Sequence, residues 1–178
     1  MAIMERITIA GNSASGKSTF AEALGPAMGL PLIHLDLFQF QPGWELTPEP
    51  EFNKQHDQWL QQNRWLIEGV GPWPALKKRF AAADTIIYFD FPVDYCLEKA
   101  RERLELDKIS PNPFVPENSP YVAKAEKQEA VIKFFHWEWR PKILALMESL
   151  RESRNLLVFT EPEMLSEFLA EIKLPPPD

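Results

Sequence analysis

One cysteine, Cys96, stands in a chain of 178 residues. A single thiol excludes an internal disulfide and a cysteine-cluster zinc site. No apolar run is longer than a strand, so no transmembrane helix is expected. A strand signal begins almost at the first residue, which gives the expectation of a cytoplasmic chain without a signal peptide. Basic residues are in deficit: 19 Lys and Arg stand against 26 Asp and Glu, for a net charge of −7. That balance argues against a broad nucleic-acid footprint, which needs a basic face, yet leaves room for a local basic pocket that takes a nucleotide. There is no internal repeat and no linker. With 45% hydrophobic and 25% charged residues, the expectation is one domain over 1–178 with a full core. Monomer and homodimer are both compatible with this composition.

What is present is concentrated near the start. Gly11-Asn12-Ser13-Ala14-Ser15-Gly16-Lys17-Ser18, followed by Thr19, reads G-x-x-x-x-G-K-[ST], the phosphate-binding P-loop. Arg6-Ile7-Thr8-Ile9-Ala10 before it has the β-branched, apolar character of a buried strand, and Thr19 to Leu24 open a helix. Strand, glycine loop and helix are the context the motif requires. The alternative is a chance match in a glycine turn. Glycine at 11 and 16 permits backbone angles that a side chain blocks, so loop N–H groups turn inward toward phosphate oxygens at a helix N-terminus. Lys17 is then placed for the β- and γ-phosphates of ATP, and the Ser18 hydroxyl for Mg²⁺.

Four more strand signals follow: Leu32 to Asp36, Arg64 to Gly69, Thr85 to Asp90, and Asn155 to Phe159. Asp36 and Glu68 lie at the ends of the first and second of these, on the side where open α/β sheets bind ligands. Asp36 is read as the group that orients or deprotonates a substrate hydroxyl, or holds Mg²⁺ through water, against a plain cap or turn. Glu68 is read as a Mg²⁺-shell or attacking-group residue, a longer substitute for the usual Asp, against a strand-end salt bridge. His34 reads as packed or hydrogen-bonded. Residues 38–50 form an aromatic, proline-rich loop whose Phe38, Phe40 and Trp44 either stack on a ring or staple the loop to the core. Thr47 is expected to cap a helix opened by Pro48. Lys77, Lys78 and Arg79 make a basic run just after the acceptor side, with Arg79 the expected substrate contact, against a plain solvated face. Cys96 lies among helical apolar positions and reads as core. Residues 107–120 hold four prolines and read as a lid, spanning about 104–125 with its flanks, hinged near Leu106, Asp107 and Tyr121. Pro141 starts a fresh helix or kinks the old one.

Several segments occur in one order: the P-loop, His34-Leu35-Asp36, Pro42-Gly43-Trp44, Arg64 to Gly69, Ala83 to Pro92, and the tryptophan-rich stretch 137–142. Together they resemble the adenylate-kinase-related P-loop proteins known as DNA topology modulation (FlaR-like) proteins, over nearly the whole chain. That resemblance implies an α/β fold: a five-stranded parallel sheet in order 2-3-1-4-5, helices on both faces, and a lid after the fourth strand's helix. It also implies ATP-dependent phosphoryl transfer to a small acceptor. Lys99 and Arg103 stand where lid-base arginines would sit, and Arg140 where a post-lid phosphate contact would. The family's Asp-Gly is Glu68-Gly69 here. The leading reading is a small-molecule kinase, with ATP·Mg²⁺ on the P-loop and an unnamed acceptor between Asp36, Glu68 and Arg79. The alternatives are an ATPase or switch without an acceptor, and a regulatory protein acting on DNA or a partner.

Overall fold

The computed structural model describes residues 4–110 and 112–172. Pro111 of the proline-rich segment, and the Pro175-Pro176-Pro177 tail, lie outside the described residues. In chain order the elements are β1 (Arg6–Gly11), α1 (Lys17–Met28), β2 (Leu32–His34), α2 (Asp36–Gln39), β3 (Phe40–Gln41), β4 (Glu45–Leu46), α3 (Glu49–Leu60), β5 (Trp65–Glu68), α4 (Trp73–Ala82), β6 (Thr85–Phe89), α5 (Val93–Asp107), α6 (Ala125–Phe134), α7 (Arg140–Leu150), β7 (Asn155–Phe159) and α8 (Glu163–Glu171).

The five apolar runs form one parallel sheet in the order β2-β5-β1-β6-β7. Counting those five strands alone, this is the expected 2-3-1-4-5. β5 and β6 are buried along their whole length, as strands covered on both faces must be. Successive residues serve opposite layers: Ile86 and Tyr88 join Trp65, Ile67, Leu76, Phe80, Ile143 and Met147 on one side. Ile87 and Phe89 join Ile7, Ile9, Phe20, Leu24, Ile132 and Phe159 on the other. Helices α3, α4 and α7 therefore cover one face, and α1, α5, α6 and α8 the other. Cys96 sits in the second layer, where burial pushes its thiol pKa up to about 11. Among the described residues, no helix is long and apolar enough to cross a membrane.

Two stretches differ from their sequence reading. Residues 38–50 hold the last turn of α2 and a small hairpin, β3 with β4, closed by a 3₁₀ turn at Pro42–Trp44. Thr47 does not cap α3; its hydroxyl donates to the Phe38 carbonyl at 2.7 Å, and Pro48 takes the cap position. The second is β2, read to Asp36, which ends at His34 and leaves Asp36 to open α2; Pro141 enters the first turn of α7 as read, after a π-helical turn at Phe135–Trp139.

Candidate functional site

The P-loop leaves β1 at Gly11, in the middle of the sheet. A Cβ at Gly11 would come within 2.8 Å of the Phe89 carbonyl oxygen, so the close approach of β6 demands glycine there. Gly16, at φ 88°, caps α1 in a left-handed conformation that favours glycine. Lys17 folds back over the loop, its Nζ donating to the Asn12 carbonyl at 2.6 Å and to Ser15 Oγ at 3.3 Å. Burial lowers the Lys17 pKa, and the charges of Glu68 and then Asp36 oppose that. The rim of the loop is pinned from outside: Asn12 Nδ2 donates to the Ile132 carbonyl at 2.9 Å, and Gln128 Nε2 to Ser13 Oγ at 2.8 Å. Arg103 reaches the same hydroxyl at 3.4 Å.

Facing the loop is a row of acids set by the strand ends. Glu68 ends β5, and its Oε2 accepts from Ser18 Oγ at 3.2 Å and lies 3.0 Å from His34 Nδ1. The other imidazole nitrogen lies 2.8 Å from Glu22 Oε1. Burial disfavours charge on His34, but the hydrogen bonds to Glu68 and Glu22 outweigh it and raise its pKa. Asp36 starts α2 two residues past β2, and the Leu35 N–H donates to the Glu68 carbonyl at 2.9 Å, tying the two acidic ends together. Burial, and next the Glu68 charge, raise the Asp36 pKa, while Lys17, Lys124 and Arg103 pull it down.

The segment between α5 and α6 packs against this end of the sheet. Asp107 accepts the Tyr121 N–H at 2.7 Å and so closes its base. Phe114 stacks on His34 with ring centres 4.6 Å apart. Ser119 is buried, and its Oγ accepts the N–H groups of Gly43 and Trp44 at 2.9 and 3.2 Å. Gly43 at φ 77° and Trp44 at φ 63° both turn their N–H groups toward it.

The structure thus brings Lys17, Ser18, Asp36, Glu68 and Arg103 to one place. It does not bring Arg79 there. Arg79 has no exposed surface, and its guanidinium donates to Thr8 Oγ1 (2.9 Å), the Gly69 carbonyl (2.6 Å) and the Val70 carbonyl (2.9 Å). An arginine so committed, with Nη1 also 3.4 Å from His56 Nε2, holds the backbone behind Glu68 and is buried away from an acceptor. Lys99 is exposed on α5 and pairs with Glu102 at 2.6 Å. Arg140 grips Asp90, just past β6, with a bidentate pair at 2.5 and 2.8 Å. Sequence reasoning did not single out Glu22, Ser119, Lys124 or Gln128. Their contacts join segments far apart in the chain, and no local pattern marks them.

The donors fit a magnesium nucleotide. Among the described residues no group of three or more His, Cys, Asp or Glu side chains forms a metal site. Ser18 Oγ and Glu68 Oε2, 3.2 Å apart, are oxygen donors of the kind that would hold Mg²⁺ together with water and substrate phosphates. Arg103 Nε is buried without a partner beside the loop rim, its guanidinium 3.7 Å from the ring centre of Tyr121, a donor that a phosphate oxygen would satisfy.

No protein-family model matches the chain, and no curated relative does. Solved structures do. Shikimate kinase from Acinetobacter baumannii in complex with shikimate superposes with a TM-score of 0.56 at 16% identity, covering 96% of this chain and 92% of that one. Shikimate kinase from Bacteroides thetaiotaomicron gives 0.54 at 12% identity, covering 96% and 97%. A gluconokinase from Sinorhizobium meliloti 1021 gives 0.52 at 16% identity, covering 97% and 91%. At these identities the likeness is one of fold: the chain has the three-layer α/β/α fold of P-loop kinases.

Proposed function

We propose that the chain is an ATP-dependent kinase of a small molecule. One observation carries the reading: the P-loop lysine, the Ser18 hydroxyl and the carboxylates of Asp36 and Glu68 converge at one end of the sheet, with Phe114 stacked on His34 beside them. ATP is the donor substrate, with its phosphates on the N–H groups of residues 11–19 and on Lys17. Ser18 and Glu68 would hold Mg²⁺, which would supply charge neutralisation to the phosphates. Asp36 orients the acceptor hydroxyl and takes its proton. The acceptor oxygen forms a new P–O bond as the bond from the γ-phosphorus to the bridging oxygen breaks, and ADP leaves with that electron pair. The raised pKa of Asp36 suits a proton acceptor better than an ordinary carboxylate does. Arg103 is the stabiliser supplied from the lid base, while Lys99 and Arg140, each committed to a carboxylate, stay outside the reaction. Arg79 acts behind Glu68.

The segment order shared with the FlaR-like, adenylate-kinase-related proteins supports placing the chain in that group. The similar structures are named as kinases of shikimate, of sugars and of gluconate, which favours an acceptor hydroxyl over none. The net charge of −7 gives no support for a role on DNA. A cytoplasmic setting suits an ATP-using enzyme. The test is a coupled ADP-release screen over alcohols, sugar acids and nucleoside monophosphates. At least one acceptor is expected to raise ADP release well above the basal rate, with a phosphorylated product. Steady hydrolysis that no acceptor changes would establish the ATPase reading instead.

A further inference from the structure

The hairpin and the trailing edge of the lid build a feature that the kinase reading leaves unused. The Lys124 ammonium lies 3.5 Å from the ring centre of Trp44 and 4.0 Å from that of Phe40. The cage around it is braced on every side. Trp44 donates its indole N–H to the Pro120 carbonyl at 3.0 Å, leans on Tyr121 at 5.6 Å, and meets Phe40 edge-on at 5.4 Å. Tyr121 in turn lies against Arg103, which reaches the P-loop.

A cation over two ring faces is held by their quadrupoles, but the rings take none of its three N–H donors as good acceptors would. Among the described residues no carboxylate pairs with Lys124 and no oxygen accepts from its Nζ. The two charges it feels are Asp36, which favours the ammonium, and Arg103, which opposes it; burial lowers its pKa ahead of both. Asp36 lies four residues before Phe40, at the base of the same hairpin. The cage is therefore already filled by a cation of the chain itself, which shuts out a cationic headgroup. Those unspent donors suit an anion, and Asp36, whose charge acts on Lys124, sets that anion beside the acceptor hydroxyl. An acidic acceptor approaching Asp36 and Glu68 meets two negative charges, and a fixed cation beside them offsets that repulsion.

We propose that Lys124 reads an anionic oxygen group, carboxylate or phosphate, on an acceptor whose hydroxyl is held at Asp36. This deepens the kinase reading and rests on it for the identity of the bound molecule as acceptor. The aromatic cage fixes the height and direction of the ammonium, so the acid must stand at a set distance from the phosphorylated oxygen.

The experiment compares acids with their neutral counterparts: D-gluconate with glucitol, glycerate with glycerol, glycerol 3-phosphate with glycerol, and cytidine monophosphate with cytidine. Each is measured by ADP release and, separately, by calorimetric binding to the Mg·ADP-loaded protein. The wild type is expected to prefer an acid in at least one pair, and the arms separate carboxylate from phosphate. Loss of a charge-assisted hydrogen bond predicts that Lys124→Met raises the KM and Kd for that acid by about tenfold to a hundredfold, chiefly through binding rather than kcat. Lys124→Arg is expected to recover a substantial part of that loss. Circular dichroism of both variants confirms the fold. Turnover of an acid with the same KM in wild type and Lys124→Met overturns the proposal and leaves the kinase reading standing. Acid binding that depends on Lys124 with no phosphoryl transfer does the reverse. Preference for every neutral counterpart, or no binding of any acid, overturns it as well.

Discussion

Replacing Arg79 by methionine keeps most of the aliphatic stem and removes the fork. The guanidinium is fully buried, and its loss strands the Gly69 and Val70 carbonyls and the Thr8 hydroxyl inside the protein. Each stranded buried acceptor costs about 1–3 kcal/mol, and breaking a buried charged network typically costs about 3–5 kcal/mol in all. A cost of about 3–5 kcal/mol is a large share of a typical stability of about 5–15 kcal/mol. At about 2–4 °C per kcal/mol for a chain of this size, Tm should fall by roughly 6–20 °C. Arg79→Lys recovers little, because one ammonium cannot span three acceptors that a planar fork reaches together. Thermal and urea melts followed by circular dichroism measure the change. Arg79→Met with a loss below about 1 kcal/mol, yet a raised acceptor KM, would refute this reasoning and return Arg79 to the acceptor site.

Lys17→Ala should abolish tight ATP binding with little loss of stability, because the Asn12 carbonyl keeps the Ser15 hydroxyl as a donor; a titration and a melt together check both halves. Asp36→Asn should suppress transfer more than basal hydrolysis, and Glu68→Gln should shift the Mg²⁺ dependence, so identical profiles would mean that the roles are divided wrongly. Because the folded Asp36 pKa is raised, its ionised form costs stability above that pKa; Asp36→Asn should therefore melt higher than wild type near neutral pH, with the gain vanishing in acid. Arg103→Ala should lower kcat by about 10³-fold or more and weaken ATP binding far less, with wild-type kcat as the result that removes it from the site. His56 is buried beside Arg79 and has its pKa lowered from 6.5 to about 4, first by burial and then by that charge. The unfolded chain binds that proton first, so stability should fall as pH drops from 6.5 toward 4, and His56→Gln should flatten that part of the pH–melting curve.

Much of this was legible in the sequence, for physical reasons that also mark where legibility ended. Strands buried on both faces leave continuous apolar runs, and the P-loop writes its backbone geometry into fixed residues, so sheet and nucleotide loop could be read directly. Arg79 was misplaced although a signal existed. Lys77, Lys78 and Arg79 look like one basic run, but helical spacing puts 79 on the face of Ala75, Leu76 and Phe80, all buried. Lys99 and Arg103 share a side of α5, yet one turn of about 5.4 Å separates a surface pair with Glu102 from contact with the loop rim. The Trp44–Lys124 cage and the Glu22–His34–Glu68 chain left no local trace, because their members meet only after the sheet and lid have formed.

The π-helical turn at Phe135–Trp139 has an arithmetic of its own. Such a turn accommodates one residue more than a regular helix would carry over the same span. Deleting a single residue from it, such as the exposed Trp137, would let α6 and α7 merge into one uninterrupted helix. Everything beyond would keep its place, because a regular turn covers the same span with that one residue fewer. Arg140 would stay at Asp90, and Ile143 and Met147 would stay on the sheet they now cover. This turn should therefore tolerate the loss of its extra residue, whereas a deletion inside α6 or α7, where no turn is widened, would rotate everything beyond it by about 100° and draw it back by about 1.5 Å.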